Sequence, residues 1–74
     1  MMPVLYGTQG CHLCDEALAM LNSAGIQADH VDIANDDELS ERYGMRIPVL
    51  QRMDGKELGW PFDPQALSNF LRAP

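Results

Sequence analysis

The 74-residue chain is 46% hydrophobic and 22% charged, and its 11 acidic against 5 basic side chains leave a formal net charge of -6. This length holds one small domain, residues 1–74, with a core so limited that the fold must rest on economical packing of secondary structure. The acidic balance argues against nucleic acid or a membrane surface as partner, because phosphates call for a basic face and only Arg42, Arg46, Arg52, Lys56 and Arg72 are on hand.

Val4-Leu5-Tyr6 is a short apolar run ending in Gly7-Thr8-Gln9-Gly10, which predicts a buried strand entering a tight loop. From Cys11 onward the apolar positions Leu13, Ala17, Met20, Leu21 and Ala24 recur at spacings of three and four. That is the pattern of a helix with one buried face, and Gly25 is placed to end it in a left-handed conformation. Ile26 to Ile33 reads as a second strand, with Val31 and Ile33 alternating against His30 and Asp32. Here His30 is expected to be structural or exposed.

Asn35 followed by Glu38 is a variant capping box, and Leu39 with Tyr43 supports a short helix closed by Gly44. A strand-helix-strand rhythm of this kind implies a parallel pair with a right-handed crossover. Pro48 to Arg52 is a third strand, Asp54-Gly55 a two-residue hairpin turn, and Lys56 to Trp60 a fourth, antiparallel strand. Asp63 as N-cap and Pro64 at the first helical position open a last helix, striped by Leu67, Phe70 and Leu71 and ending near Pro74. The order βαβαββα makes an α/β domain, a four-stranded mixed sheet with helices on its faces.

No stretch approaches the roughly 18 apolar residues needed to span a bilayer. Met1-Met2-Pro3-Val4 has neither the cationic segment nor the apolar run of a secretory signal, so a cytoplasmic location is expected. Cys11 and Cys14 would close a ring worth only about 2 kcal/mol by loop entropy, against about 3 for a ring of 15 residues. In a reducing compartment so close a pair points to redox or metal chemistry rather than to a structural staple.

With Leu5-Tyr6-Gly7 leading into Cys11-His12-Leu13-Cys14, and Ile47-Pro48-Val49 opening the third strand, the chain resembles the thioredoxin-fold superfamily, specifically the small bacterial glutaredoxin-like proteins. The resemblance covers nearly the whole length and implies a thiol-disulfide oxidoreductase. Cys11 at the helix N-terminus would be the attacking thiol, its thiolate favoured by the unpaired N–H groups of the first turn, and Cys14 would resolve the mixed disulfide. His12 adds to that field when protonated, whereas Asp15 and Glu16 oppose it.

The resemblance further implies a cis peptide after Ile47, facing the cysteine pair and exposing the Ile47 backbone to an extended substrate segment; from the residues alone, Pro48 reads as a strand-opening proline. His12 occupies a variable position that tunes the thiol in this superfamily. In oxidising members the familiar histidine stands in the second variable position, here Leu13, and the plain reading of His12 is a solvated side chain. Trp60 and Phe62 form either an aromatic wall beside the thiols or core packing for the last helix. Ile47, Pro48, His12 and Trp60 are thus the expected substrate contacts.

Familiar glutaredoxins hold glutathione with a lysine before the motif and a Gly-Gly then Asp signature after the fourth strand. Here Thr8-Gln9-Gly10 and Gly59-Trp60-Pro61-Phe62-Asp63 stand in those places, so both glutathione as co-substrate and a hand-off to proteins through a reductase stay open. Protein or low-molecular-weight disulfides are the expected partners, no cofactor is expected to be bound, and a monomer is the default.

Two other classes compete. A copper carrier also places a CxxC between a first strand and first helix, but no methionine lies just before Cys11 and the final helix displaces the terminal strand a ferredoxin-like carrier needs. An iron-sulfur cluster shared between two chains is a second form of the metal reading. A non-catalytic thioredoxin-fold interaction module is the third class, against which the retention of both cysteines speaks.

Overall fold

The computed structural model describes residues 2–72. Its strands are β1 (Val4–Gly7), β2 (Asp29–Asp32), β3 (Val49–Gln51) and β4 (Glu57–Gly59), and its helices α1 (His12–Ser23), α2 (Asp37–Tyr43) and α3 (Pro64–Arg72). A single 3-10 turn, Ile33–Asn35, joins β2 to α2. The sheet order is β2-β1-β3-β4, with β1 and β2 parallel and the other two pairs antiparallel. This is the α/β arrangement expected from the element order, and the thioredoxin-like fold that the resemblance implies.

Alternation along the two central strands divides the core. Leu5 lies opposite Leu50 and Tyr6 opposite Val49, so neighbouring residues of β1 and β3 serve opposite faces. On one face Leu5 and Leu50 meet Ala17 and Leu21 of α1, Leu67 of α3, and Phe62. On the other, Val49 meets Tyr43 of α2 and Ile33, with Tyr6, Leu39 and Ile47 packed around them. Tyr6 and Tyr43 stack with ring centroids 4.4 Å apart.

Several local expectations are corrected. In α1 the buried residues are Cys14, Ala17 and Leu21, whereas Leu13 is exposed and Ala24 is the exposed C-cap. At about 100° per residue the buried stripe centres between Ala17 and Leu18, which leaves Leu13 roughly 85° round the helix. Strand β2 starts at Asp29 and stops at Asp32, because Asp32 Oδ1 accepts the Ala34 N–H (2.9 Å) and turns Ile33 into the 3-10 segment.

The cap of α2 is Asp36, not Asn35: Asp36 Oδ1 accepts from Leu39 N–H (3.1 Å), and Asn35 closes the preceding 3-10 turn. The β3–β4 hairpin has a three-residue connection instead of two. Arg52 N–H donates to Lys56 O (2.8 Å), Gly55 N–H donates back to Arg52 O (3.0 Å), and Gly55 supplies the left-handed φ of 92° that the extra residue requires. Asp54 accepts from Arg52 Nε and Lys56 N–H, which hold its carboxyl down at about 2. The expected α3 cap is in place, Asp63 Oδ1 accepting from Ala66 N–H (2.7 Å). Arg72 is the last residue of α3, and Pro74, the expected end of that helix, lies outside the described residues.

Tyr43 ties the second face together. Its ring is fully buried and its hydroxyl donates to Glu57 of β4, which also meets Arg46 (3.3 Å). Burial, then the hydrogen bond to the Glu57 carboxylate, pushes the phenol from 10.0 up to about 12. A raised folded-state value means stability that is whole below pH 10 and lost as pH climbs through about 12. Tyr43→Phe should cost about 1–3 kcal/mol at neutral pH. In urea titrations the gap between wild type and variant should shrink between pH 10 and 12; a gap that stays constant across that window would overturn the assignment.

Candidate functional site

Cys11 is the N-cap of α1, in extended conformation, which makes His12, Leu13 and Cys14 the first, second and third helical residues. Its sulfur takes the part usually played by a cap oxygen: Cys14 N–H donates to Cys11 Sγ (3.2 Å), while Asp15 N–H reaches the Cys11 carbonyl (3.1 Å). The N–H groups of His12 and Leu13 lack intrahelical partners by helix geometry and add their positive ends beside the sulfur. Asp15 sits in the same turn and opposes that field.

The two sulfurs form a disulfide, with Cα atoms 5.2 Å apart. They are unequally placed. Cys11 is half-buried at the surface, whereas Cys14 is 8% exposed and faces the sheet. Gly7 at the end of β1 makes room for it, since a Cβ there would stand 3.0 Å from Cys14 Sγ and 3.3 Å from Cys14 Cβ. Reasoning from sequence assigns Gly7 only to a loop. Nothing in the local pattern says that a helix docks a cysteine onto it.

The Ile47–Pro48 peptide is cis, as is Trp60–Pro61. Pro48 is buried at the start of β3, beside the end of β1 that carries the cysteine loop, and its carbonyl accepts from Trp60 N–H (3.1 Å). Ile47 spends its own N–H on Tyr43 O (3.1 Å), and its carbonyl has no backbone partner among the described residues. His12 is exposed and turned along its own helix, Nε2 lying 3.5 Å from Glu16 Oε2. Trp60 packs edge-on against Phe62 (5.0 Å), which is buried in the α1–α3 core, while Trp60 itself stays only half-buried. Asp63, the residue available to hold an amine, has one carboxylate oxygen engaged as the α3 cap.

A cleft of about 330 Å³ opens on the other flank of Cys14, between α1 and the ends of β1 and β2. Its lining includes Cys14 and Gly7 together with the exposed Asp15 and His30 and the half-buried Asp32. Its position outside the carboxyl ends of parallel strands is where α/β sheets commonly bind ligands. Among the described residues no group of three or more His, Cys, Asp or Glu side chains converges as a metal site, and no helix is long and apolar enough to cross a membrane.

Residues 4–72 match the family described as Glutaredoxin-like domain (DUF836). Among solved structures, the crystal structure of target protein XcR50 from X. campestris is 42% identical, with 97% of each chain covered and a TM-score of 0.91. A solution structure of XcR50 is 40% identical over 100% of this chain and 96% of that one, with a TM-score of 0.89. Protein Ne2328 from Nitrosomonas europaea, solved by NMR, is 30% identical over 95% and 89%, with a TM-score of 0.80. No curated protein matches the chain.

The contact between Gly7 and Cys14 gives a test of the docking. Gly7→Ala should destabilise the oxidised protein by about 1–3 kcal/mol through overpacking. Gly59→Ala, where an added Cβ meets nothing within 4 Å, should have a clearly smaller effect on the urea midpoint. Equal costs at the two positions would refute the tight seat for Cys14.

Proposed function

We propose that this chain, which belongs to the glutaredoxin-like domain family, is a thiol-disulfide oxidoreductase working through Cys11 and Cys14. The observation that carries the reading is the Cys11 sulfur acting as the cap of α1, hydrogen-bonded by the Cys14 N–H at the positive end of a helix. An N–H donated to sulfur is stronger when the sulfur is a thiolate, and charge there is further favoured by the helix end. Both effects lower the cost of the nucleophilic form.

In the reduced protein, Cys11 thiolate attacks one sulfur of a substrate disulfide. The substrate S–S bond breaks, one substrate thiolate leaves and takes a proton from solvent, and a Cys11–substrate disulfide forms. Cys14 then loses its proton and attacks Cys11 Sγ, releasing the second substrate thiol and closing the Cys11–Cys14 bond. Two electrons and two protons have passed to the substrate. Two glutathione thiols, or the dithiol of a reductase, would return the pair to its starting state by the same exchange.

The greater exposure of Cys11 supports its role as attacking thiol, and the burial of Cys14 supports a resolving role. Pro48 and the Ile47 carbonyl border the site and are proposed to receive the extended backbone of the substrate, with His12 and Trp60 at the margins. The substrates are protein or low-molecular-weight disulfides, the setting is a reducing compartment such as the cytoplasm, and the working unit is the monomer.

Cys14→Ser should accumulate a mixed disulfide on Cys11 when mixed with a disulfide substrate, and Cys11→Ser should abolish turnover without trapping anything. Mass spectrometry of the trapped species under non-reducing conditions identifies the attachment point. An adduct found only on Cys14 of the Cys11→Ser protein would reverse the roles, and no adduct on either would remove the reading.

A further inference from the structure

The exchange at Cys11 makes no use of the cleft on the β2 side of Cys14, away from β3 and Pro48. We infer that this cleft is a side-chain subsite that takes the lysine or arginine next to the cysteine of a polypeptide disulfide, an inference that rests on the oxidoreductase reading above.

The lining has two chemistries. The buried Leu5 and half-buried Leu18 give it an apolar floor on the α1 side of the sheet, and the exposed Asp15 and half-buried Asp32 bring carboxylates to its lining. A long cationic side chain matches that division, with its methylene stem on the floor and its charged head at the rim. The volume of about 330 Å³ lies near the small end of ligand pockets, which suits one side chain better than a whole tripeptide.

Asp32 is well positioned for this. It lies opposite Gly7 in the parallel register, one strand spacing of about 4.8 Å from the residue on which Cys14 rests. Its Oδ1 is fixed by the Ala34 N–H (2.9 Å), which orders the carboxylate and leaves the second oxygen without a protein partner among the described residues. Among the described residues no lysine or arginine lines the cleft, and His30 is the one lining side chain that can become cationic. A substrate bearing carboxylates next to its disulfide, glutathione disulfide included, meets like charge at this rim.

The test uses the reduced full-length protein and a series of short peptide disulfides that differ only in a Lys, Ala or Glu beside the cysteine, with glutathione disulfide as an anionic comparator. Assays run at about pH 8, where histidine is ordinarily neutral. The kcat/KM for the Lys peptide should exceed that for the Glu peptide by about three- to tenfold, as expected for partly exposed charge pairs. That ratio should fall towards unity in an Asp15→Asn, Asp32→Asn double variant, in which the side-chain amide oxygen introduced by the second substitution still accepts from the Ala34 N–H. It should fall likewise in the unaltered protein as salt rises to about 0.5 M.

Equal rates for the Lys and Glu peptides, or a preference that survives both the double substitution and high salt, would overturn the subsite while leaving the oxidoreductase reading intact. Failure to reduce any of the disulfides would overturn that reading, and the subsite with it.

Discussion

A single hydrogen bond, from the Cys14 N–H to the Cys11 sulfur, organises this molecule's chemical end. It makes a cysteine do the work of a helix cap, so α1 begins at a sulfur that lies at the positive end of the helix. Because the cap residue and the third helical residue are neighbours across one turn, the second cysteine is delivered to the first without any further element. The same turn points Cys14 down onto Gly7, at the end of the strand that feeds the loop. One sulfur is therefore held at the surface and the other beneath it.

The sheet provides the rigid base for that turn. Its two central strands are buried on both faces by different partners, α1 and α3 on one side and α2 on the other. The loop after β1 and the proline before β3 share one end of the sheet because those strands are antiparallel neighbours. That adjacency brings Pro48 beside Gly7, against which Cys14 rests, and Tyr43 secures the approach to β3 by accepting the Ile47 N–H and reaching across to Glu57.

Charge is unevenly distributed over this frame. Arg46 meets Glu57 beside the buried Tyr43, and Arg52 meets Asp54 in the hairpin. Carboxylates instead flank the turn that carries the cysteines, with Asp15 in the first turn of α1 and Asp32 at the end of β2. The positive end of α1 and these carboxylates thus act on the same turn with opposite sign.

Much of this was legible in the chain itself. The element order, the helix that follows the cysteines, Gly25 just past its C-cap Ala24 with a left-handed φ of 72°, Asp63 capping the last helix and the expected pairing of Cys11 with Cys14 all depend on neighbours within a few residues, where spacing and capping chemistry act directly. Sequence and structure part where two local signals compete, as with Asp36 against Asn35 for the α2 cap, or where hairpin register decides the length of a turn. Leu13 falls on the wrong face because a periodicity of three and four fits two overlapping helix faces, and only the sheet beneath selects between them. The seat of Cys14 on Gly7, the packing of Trp60 against the core, the Tyr43–Glu57 hydrogen bond and the cleft between α1 and β2 were decided by tertiary structure alone. Each joins residues that become neighbours only when helices settle on the sheet, so no pattern along the chain encodes the contact.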